Sequence, residues 1–381
     1  MKTVGIIGGG QLGLMLIEAA KSSGLDAEYY ILESQLDCPA AKVADKVLIG
    51  NIIDYNAILE FSNHVDIITW EIEHINVEAL LFLSRQGKLI IPHPEVLEII
   101  KDKGVQKQFY KNHNLPTAPF LIVDWTISIQ EQMDVLNGDL LVVKFRTGGY
   151  DGKGVLIMTK TEFLEDAFLF GKDILIEQYA DDATEISVIV AVGQDGNLVT
   201  FPSIEMYFNS NSNLVEFLFS PAQISEESDI HSKEIAISAV KALKSAGLFA
   251  VELFLFKDGV IWINEIAPRP HNSGHHTIEG CVTSQFLQLN NILLDRKLGD
   301  TSLIKPSAMI NIVGPEDFEG TYKYAHIDWL NSQKGCFLHD YGKTLSKANR
   351  KLGHITVMSE NMEQLIQKCE TVKGFISVKP S

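Results

Sequence analysis

A glycine-rich turn stands between the first apolar run of the chain and its first helical pattern. Val4–Ile7 predicts a strand, Gly8-Gly9-Gly10-Gln11-Leu12-Gly13 fits the pattern G-x-G-x-x-G, and Gln11–Ser23 predicts a helix. Glu33 follows about 20 residues later, at the end of the second predicted strand, as in dinucleotide-binding folds. Taken alone, the motif indicates either an NAD site or a tight turn at a helix start that binds another anion or none.

The rest of the first hundred residues repeats this alternation of strand and helix. Short apolar runs at 29–32, 65–70 and 89–91 have helical patterns between them. Such alternation predicts a parallel sheet with helices on its faces. Two prolines in Leu115-Pro116-Thr117-Ala118-Pro119 mark a boundary, and β-rich runs dominate beyond it. The predicted fold class is therefore α/β at the N-terminus and α+β after it.

The charge balance limits the classes of partner. The 381 residues include 49 Asp and Glu against 32 Lys and Arg, a formal net charge of −17. An acidic chain lacks the basic footprint of a general duplex-DNA binder and is poorly suited to anionic lipid. No apolar run approaches the ~20 residues that a membrane span needs, and the four cysteines form no CxxC pair. We therefore expect a cytoplasmic protein that acts on small molecules, with no nucleic-acid or membrane partner.

Between two predicted strands lies a second glycine-rich segment, Lys144-Phe145-Arg146-Thr147-Gly148-Gly149-Tyr150-Asp151-Gly152-Lys153-Gly154. It is not a Walker P-loop, because that motif needs G-x-x-x-x-G-K-[ST] before a helix. A glycine loop between two strands predicts a hairpin that folds over a bound triphosphate, where backbone N–H groups and Lys144 meet the phosphates. The alternative is a surface hairpin with a glycine tip.

A predicted hairpin at 249–266 brings two carboxylates together. If Asp258-Gly259 forms its two-residue turn, Glu252 lies directly opposite Glu265. Like charges in that position destabilise a sheet, which indicates a bound cation. Oxygen ligands, with Asn264 nearby, suit Mg²⁺ shared with nucleotide phosphates. The alternative is a solvated hairpin end that tolerates the repulsion.

Two polar clusters follow this hairpin. The segment Arg269-Pro270-His271-Asn272-Ser273-Gly274-His275-His276 contains His271 and His275 at a spacing that suits zinc if it is helical. A proline and a glycine interrupt a helix there and no cysteine is near, so we interpret the segment as a loop that presents polar side chains to a substrate. Tyr341-Gly342-Lys343 and Arg350-Lys351-Leu352-Gly353-His354 are cationic, which suits either a phosphomonoester site or a solvated basic face.

In this order, the segments resemble the ATP-grasp superfamily and, more closely, the 5-(carboxyamino)imidazole ribonucleotide synthases of purine biosynthesis. The likeness runs through nearly the whole chain. It is carried by Gly8-Gly9-Gly10-Gln11-Leu12-Gly13, Thr69-Trp70-Glu71-Ile72-Glu73, Gly148-Gly149-Tyr150-Asp151-Gly152-Lys153-Gly154, Asn264-Glu265-Ile266-Ala267-Pro268-Arg269-Pro270-His271-Asn272-Ser273-Gly274-His275 and Arg350-Lys351-Leu352-Gly353-His354.

The resemblance implies an ATP-grasp fold in three domains. These are a Rossmann-like parallel-sheet domain at residues 1–100, an ATP-grasp domain at 101–300 with a lid at roughly 118–180, and a small β-rich domain at 301–381. It also implies an ATP-dependent carbon–nitrogen ligase that converts 5-aminoimidazole ribonucleotide, bicarbonate and ATP, by way of carboxyphosphate, to the N-carboxylated ribonucleotide, ADP and phosphate. The implied cofactors are ATP and Mg²⁺ or Mn²⁺, with no NAD, and the implied assembly is a homodimer.

Residue by residue, the resemblance implies roles for the matching positions. The ATP contacts fall on Lys103, Lys144, Gly149, Tyr150, Asp151, Gly152, Lys153, Gly154, Glu177, Gln178, Tyr179, Ala180, Glu185, Phe208, Asn264 and Glu265. The substrate contacts fall on Gln11, Glu73, Tyr150, Asp151, Arg269, His271, Asn272, Ser273, Lys343 and Arg350. Arg269, His271 and Lys343 would act in catalysis, and Glu252 and Glu265 would hold the metal ion.

The chain departs from the family pattern at a few positions. Lys103 stands where Arg is usual, which keeps the charge without the bidentate geometry. Phe208 stands where His is common, Met206 replaces Asn, and Trp70 replaces Tyr. Other functions stay open at this point: a formate-using ATP-grasp ligase that acts on a phosphoribosyl amine, an NAD-dependent oxidoreductase, and a non-catalytic nucleotide-binding module.

Overall fold

The structure is a computed structural model that describes residues 1–148, 154–166, 171, 173–208 and 215–381. Within these ranges, the first hundred residues form a parallel sheet from β1 (Lys2–Ile7), β2 (Ala27–Glu33), β3 (Lys46–Ile49), β4 (Ile67–Trp70) and β5 (Leu89–Ile90). The strands lie in the order β3-β2-β1-β4-β5. The helices of this region are α1 (Gln11–Ser22), α2 (Tyr55–Ser62), α3 (Val77–Arg85) and α4 (Glu95–Ile100). The predicted parallel sheet is confirmed.

Local chemistry explains where these elements begin. Strand β1 lies at the centre of the sheet, and its apolar residues Val4, Ile6 and Ile7 are fully buried. Asp54 precedes α2 and accepts a hydrogen bond from the Ala57 N–H at 2.7 Å, while Asn76 caps α3 in the same way. Such caps satisfy amide groups that have no partner inside the helix.

A separate antiparallel sheet contains the residues around the second glycine-rich segment. It is built from β6 (Phe120–Ile122), β7 (Leu140–Phe145), β8 (Val155–Thr159) and β9 (Ile174–Gln178), in the order β6-β9-β7-β8. Helices α5 (Lys103–Asn112), α6 (Ile129–Gln132) and α7 (Lys160–Asp166) accompany it in the chain. Leu141, Val143 and Ile176 bury one face of this sheet against Phe163. The two strands predicted on either side of the glycine loop, β7 and β8, pair as a hairpin.

The largest sheet of the described chain is continuous from the middle of the sequence to its C-terminal part. Its strands are β10 (Thr184–Val192), β11 (Leu198–Thr200), β12 (Ile204–Phe208), β13 (Val215–Ser220), β14 (Gly247–Leu255), β15 (Ile261–Ala267), β16 (Ser307–Val313), β18 (Cys336–Asp340) and β19 (Lys351–Met358). The pairing of β13 with β16 joins the two halves. A short ribbon pairs β17 (Tyr322–Ala325) with β20 (Ser377–Pro380). The remaining helices are α8 (Glu226–Ala242), α9 (Thr277–Gly280), α10 (Gln285–Leu293), α11 (Ile327–Ser332) and α12 (Met362–Phe375).

Strand β10 is buried on both faces. Ile186 and Val188 share a core with residues of α8, whereas Ile189 and Ala191 share a second core with residues of α10 and α1. The period-two alternation of a strand therefore places the N-terminal sheet and α8 on opposite sides of the large sheet. Among the described residues, no helix is both long enough and apolar enough to cross a membrane.

A buried asparagine joins the N-terminal sheet to α10. Asn290 has no solvent exposure, and its Oδ1 accepts a hydrogen bond of 2.6 Å from the Tyr29 hydroxyl. Its amide donates to the carbonyl oxygens of Leu16 at 2.9 Å and Phe286 at 3.1 Å. Because buried polar groups are costly without partners, these bonds fix α1 and β2 against α10.

We expect Asn290→Ala to lower the free energy of unfolding by about 2–3 kcal/mol, because it leaves the buried Tyr29 hydroxyl and two carbonyl oxygens without their partner. The neighbouring Asn291→Ala is the matched control, since no hydrogen bond of its side chain is seen in the described part of the chain. Urea unfolding of both variants measures the difference. Equal losses would contradict this role for Asn290.

Candidate active site

The hairpin of β14 and β15 places Glu252 directly opposite Glu265, as predicted. The predicted two-residue turn is wrong. Leu255 pairs with Ile261, and the Phe256 N–H donates to the Val260 oxygen at 2.9 Å, so the loop has one more residue. It ends on Gly259 with φ +86, a conformation that favours glycine.

A bulge restores the register between the turn and the two carboxylates. Glu252 pairs with Glu265 but Leu253 pairs with Ile263, which leaves Asn264 as the extra residue. The predicted pairing of Glu252 with Glu265 is therefore correct because two errors of one residue, in the length of the turn and at the bulge, cancel each other. The bulge also brings the Asn264 side chain to the carboxylates, since its amide nitrogen lies 3.3 Å from the Glu252 Oε2.

Cationic and polar groups surround the two carboxylates. The Lys103 ammonium lies 3.0 Å from the Glu265 Oε2, and the Lys144 ammonium donates to the Asn264 Oδ1 at 3.2 Å. Burial and the charge of Glu265 raise the pKa of Glu252, whereas the Lys103 ammonium lowers the pKa of Glu265. Glu265 is therefore the more strongly ionised of the two.

The donor set of this pair fits a magnesium ion. Two carboxylates and an amide oxygen are hard ligands, and they leave coordination positions for nucleotide phosphates. No group of three or more His, Cys, Asp or Glu in the described ranges has a metal-binding arrangement. The zinc interpretation of His271 and His275 therefore gains no support from the described residues, which bring no complete ligand set to them.

A buried ion triad that the sequence did not reveal lies behind the pair. The Glu177 carboxylate is 2.9 Å from the Lys107 ammonium and 3.0 Å from the Lys144 ammonium. Both lysines lower the pKa of Glu177 against the effect of burial. The Glu177 side chain thus holds Lys144 in place, while Lys107 also donates to the Thr117 hydroxyl at 2.7 Å. A lysine on the buried face of α5 is the only sequence signal for this triad.

Gln178 ends β9 directly after Glu177, and Tyr179 and Ala180 follow the strand. Glu185 lies on β10 two residues before Ser187, which pairs with Glu252, so Glu185 and Glu252 are on the same face. Burial raises the pKa of Glu185 to about 7. Phe208 ends β12 and packs on the core beside α10.

The glycine-rich segment is described only at its ends. Lys144 and Phe145 end β7, and the Phe145 N–H donates to the Gly154 oxygen at 3.0 Å. The predicted contacts at Gly149, Tyr150, Asp151, Gly152 and Lys153 lie outside the described residues.

The N-terminal glycine turn is filled by a carboxylate of the chain itself. The Glu71 side chain accepts hydrogen bonds from the N–H groups of Gly10 and Gly13, the latter at 2.7 Å. Glu33, the acidic residue that follows the glycine motif at the dinucleotide-fold spacing, accepts from the Gly9 N–H at 3.0 Å. A pyrophosphate would need these same N–H groups. The arrangement therefore disfavours the NAD interpretation.

The other predicted substrate residues are held by contacts between distant parts of the chain. The Arg269 guanidinium lies 2.8 Å from the Glu73 carboxylate, and Gln11 begins α1 beside the glycine turn. The peptide groups of His271 bond to the Gln285 side chain at 2.9 and 2.8 Å. The Oδ1 of Asn272 is buried and has no hydrogen-bond partner among the described residues.

The C-terminal basic cluster meets the N-terminal region. The Lys42 ammonium donates to the Gly342 oxygen at 2.6 Å, and the Thr344 hydroxyl donates to Asp37 at 2.8 Å. Lys343 donates to the Lys351 oxygen and Arg350 to the Leu345 oxygen, each at 2.8 Å. Residues 37–42 of the N-terminal region are therefore in direct contact with residues 342–344.

Comparisons with known proteins agree with this architecture. Residues 1–101 match the family model described as ribonucleotide synthetase preATP-grasp domain. Residues 108–286 match the ATP-grasp domain, and residues 307–368 match the phosphoribosylaminoimidazole carboxylase C-terminal domain. The chain spans 65% of the phosphoribosylaminoimidazole carboxylase of Vigna aconitifolia, to which it is 34% identical over 95% of its own length.

Full-length relatives and solved structures are also similar. The N5-carboxyaminoimidazole ribonucleotide synthase of Aquifex aeolicus is 35% identical, over 98% of this chain and 96% of the relative. The crystal structure of the synthetase from Thermotoga maritima has a TM-score of 0.90 at 35% identity, covering 100% of both chains. A structure from Aspergillus clavatus, in complex with ADP and 5-aminoimidazole ribonucleotide, has a TM-score of 0.84 at 27% identity, covering 97% of this chain and 98% of that one. The chain therefore belongs to the ATP-grasp family of N5-carboxyaminoimidazole ribonucleotide synthases.

Proposed function

We propose that the protein carboxylates 5-aminoimidazole ribonucleotide with bicarbonate at the expense of ATP. The products are 5-(carboxyamino)imidazole ribonucleotide, ADP and phosphate, as in purine biosynthesis. The observation that carries this proposal is the pair of opposed carboxylates, Glu252 and Glu265, with the Lys103 and Lys144 ammonium groups beside it. Such an arrangement suits a metal-bound triphosphate, and the family supplies the identity of the acceptor.

Phosphoryl transfer to bicarbonate is the first step of the proposed reaction. A bicarbonate oxygen forms a bond to the γ-phosphorus as the bond from that phosphorus to the ADP oxygen breaks, which gives carboxyphosphate. Its carbon–oxygen bond then breaks to release carbon dioxide and phosphate. The exocyclic amine of the ribonucleotide attacks the carbon dioxide and loses a proton. Little covalent help from the protein is needed, so positioning and neutralisation of charge dominate.

Glu252 and Glu265 would hold the Mg²⁺, which neutralises charge on the phosphates when bound. Lys103, Lys144 and Asn264 lie around them and would meet the triphosphate together with Lys153 and the loop from Gly149 to Gly154. Glu177 would act on ATP through Lys144, since its carboxylate is already shared between two lysines. The peptide groups of residues 178–180 and the Glu185 carboxylate would bind the adenosine, and Phe208 would line its pocket.

The ribonucleotide would lie between the N-terminal sheet and the C-terminal basic cluster. Gln11 and Glu73 border it from one side, and Lys343 and Arg350 provide cations for its phosphate from the other. Arg269, His271 and Asn272 would contact the ribonucleotide between this region and the Glu252–Glu265 pair, and the family resemblance adds Tyr150 and Asp151 to these contacts. Closure of that loop would keep water from carboxyphosphate.

The division into domains at about residues 100 and 300 is part of the proposal. So are a cytoplasmic location, which is inferred from the cysteine content and the lack of a long apolar run, and a homodimer, which is based on the family resemblance. The substrates are small molecules in each case.

We predict that ADP release from MgATP depends on both 5-aminoimidazole ribonucleotide and bicarbonate. A coupled assay with each component omitted in turn measures this dependence. Formate in place of bicarbonate should not support turnover, which distinguishes the formate-using alternative. ADP release that is unchanged without the ribonucleotide would contradict the proposed function.

We predict that Glu265→Gln lowers turnover at least about 100-fold, because a metal ligand is worth several kcal/mol of transition-state stabilisation. ATP should still bind, which fluorescence titration with an ATP analogue would show. Asp229→Asn is the control, since it neutralises a carboxylate that pairs with Lys233 at 2.6 Å on the surface of α8. Retention of full turnover by Glu265→Gln would refute the metal role.

A further inference from the structure

The buried side chains of Ser187 and Ser273 and the His271 ring form a chain of polar contacts. This chain ends at Glu252, one of the two opposed carboxylates. The Ser187 and Ser273 hydroxyl oxygens are 2.9 Å apart, and the Ser273 hydroxyl lies 2.9 Å from the His271 Nδ1. On the other side of the ring, the His271 Nε2 lies 3.4 Å from the Glu252 Oε1. Ser187 is 0% exposed and Ser273 is 1% exposed, so neither hydroxyl reaches solvent.

The backbone explains why these groups meet. Ser187 on β10 pairs directly with Glu252 on β14, so both side chains are on the same face of the sheet. Ile189 and Ala191, further along that face, belong to the apolar core. Ser187 lies at the boundary between this core and the site. Gly274 lets the segment after His271 approach, because a Cβ there would lie 2.3 Å from the Ile189 side chain.

The direction of the hydrogen bonds fixes the tautomer of His271. The Ser273 N–H donates to the His271 Nδ1 at 3.3 Å, and a backbone amide can only donate. Nδ1 therefore carries a lone pair, and the Ser273 hydroxyl donates to it as well. The Ser187 hydroxyl can then donate to the Ser273 oxygen. The ring proton is left on Nε2, which faces Glu252.

We propose that Ser187 and Ser273 are positioning residues that hold His271 as the neutral Nε2–H tautomer, with that N–H directed into the site. His271 then donates a hydrogen bond from Nε2 to an oxygen of the substrate or an intermediate. Its Nδ1 does not bind substrate, because it already accepts hydrogen bonds from Ser273. Ser273 acts through His271, which replaces the direct substrate contact predicted for it. The catalytic part of this inference rests on the proposed function; the tautomer does not.

The tautomer is measured by nitrogen-15 NMR of the full chain labelled at histidine, at about pH 8 where exposed histidines are neutral. His271→Gln identifies the signal by its loss. We expect Nδ1 of His271 to resonate as the unprotonated nitrogen and Nε2 as the protonated one. An Nδ1–H tautomer or an imidazolium in the wild-type protein would overturn the proposal, whatever reaction the protein catalyses.

Substitution of Ser187 tests the positioning role. We expect Ser187→Ala to lower kcat about 10-fold with the KM for ATP unchanged, as second-layer partners of site residues do, because the Ser273 hydroxyl loses the neighbour that orients it toward the His271 Nδ1. Ser203→Ala is the matched control, because Ser203 is 1% exposed and its hydroxyl has no hydrogen-bond partner among the described residues. A wild-type kcat in folded Ser187→Ala would overturn the role of Ser187.

Ser273→Thr keeps the hydroxyl and Ser273→Ala removes it. We expect the first to retain the Nε2–H tautomer and the second to give a mixture of tautomers, because only the longer 3.3 Å contact from the residue 273 N–H then remains at Nδ1. Thermal unfolding measures folding for both. A mixture of tautomers in both variants, with folding intact, would mean that side-chain size rather than the hydroxyl controls the ring, and it would overturn the role of Ser273. If the substrate-omission assay fails while the NMR result holds, the proposed reaction is wrong and the positioning network stands.

Discussion

Repulsion between Glu252 and Glu265 is the constraint on which the rest of the site depends. Two carboxylates directly opposite each other on neighbouring strands destabilise a hairpin unless positive charge lies between or beside them. Two groups offset this repulsion. The Lys103 ammonium lies 3.0 Å from Glu265, and the Asn264 amide lies near Glu252. Burial and then the charge of Glu265 raise the pKa of Glu252. In the proposed function, a divalent cation bound by the two carboxylates would offset this repulsion and hold the nucleotide phosphates.

A second layer of charge supports the first. Lys144 contacts Asn264 on one side and the buried Glu177 on the other, and Lys107 completes the triad. Burial of these groups is unfavourable unless each is paired, so loss of one would affect the others. On the opposite flank, Ser187 and Ser273 orient His271 against Glu252. Glu177 behind Lys144 and Ser273 behind His271 are thus buried partners, and they would preorganise these two groups for the proposed phosphoryl transfer.

Much of the fold could be predicted from the sequence, because periodicity and turn residues are local signals. The parallel sheet, the two glycine-rich segments and the carboxylate pair were all found in this way. Pairs that depend on distant packing could not be. Glu71 enters the glycine turn from 61 residues away because β1 and β4 are neighbours. Glu177 on β9 meets Lys107 only once α5 packs against that strand, and no spacing in the sequence specifies either contact.

The hairpin shows the limit of register arguments. The prediction of a two-residue turn and a regular ladder identified the correct partner of Glu252. The turn is nevertheless one residue longer than predicted, and Asn264 forms a bulge. Turn length and bulges are set by twist and by side-chain packing across the sheet, which the sequence pattern does not display. The bulge matters for function because it places the Asn264 amide at the carboxylates.

The transfer of a phosphoryl group to bicarbonate is the central claim, and oxygen isotopes test it most directly. Bicarbonate labelled with oxygen-18 is supplied with unlabelled ATP, water and 5-aminoimidazole ribonucleotide, and the phosphate released is examined by mass spectrometry. If carboxyphosphate forms, its carbon–oxygen bond breaks with one bicarbonate oxygen left on phosphorus, so we predict one labelled oxygen per phosphate. Phosphate without label, released at the same rate as ADP, would show that water or the amine attacks ATP and would contradict the carboxyphosphate route.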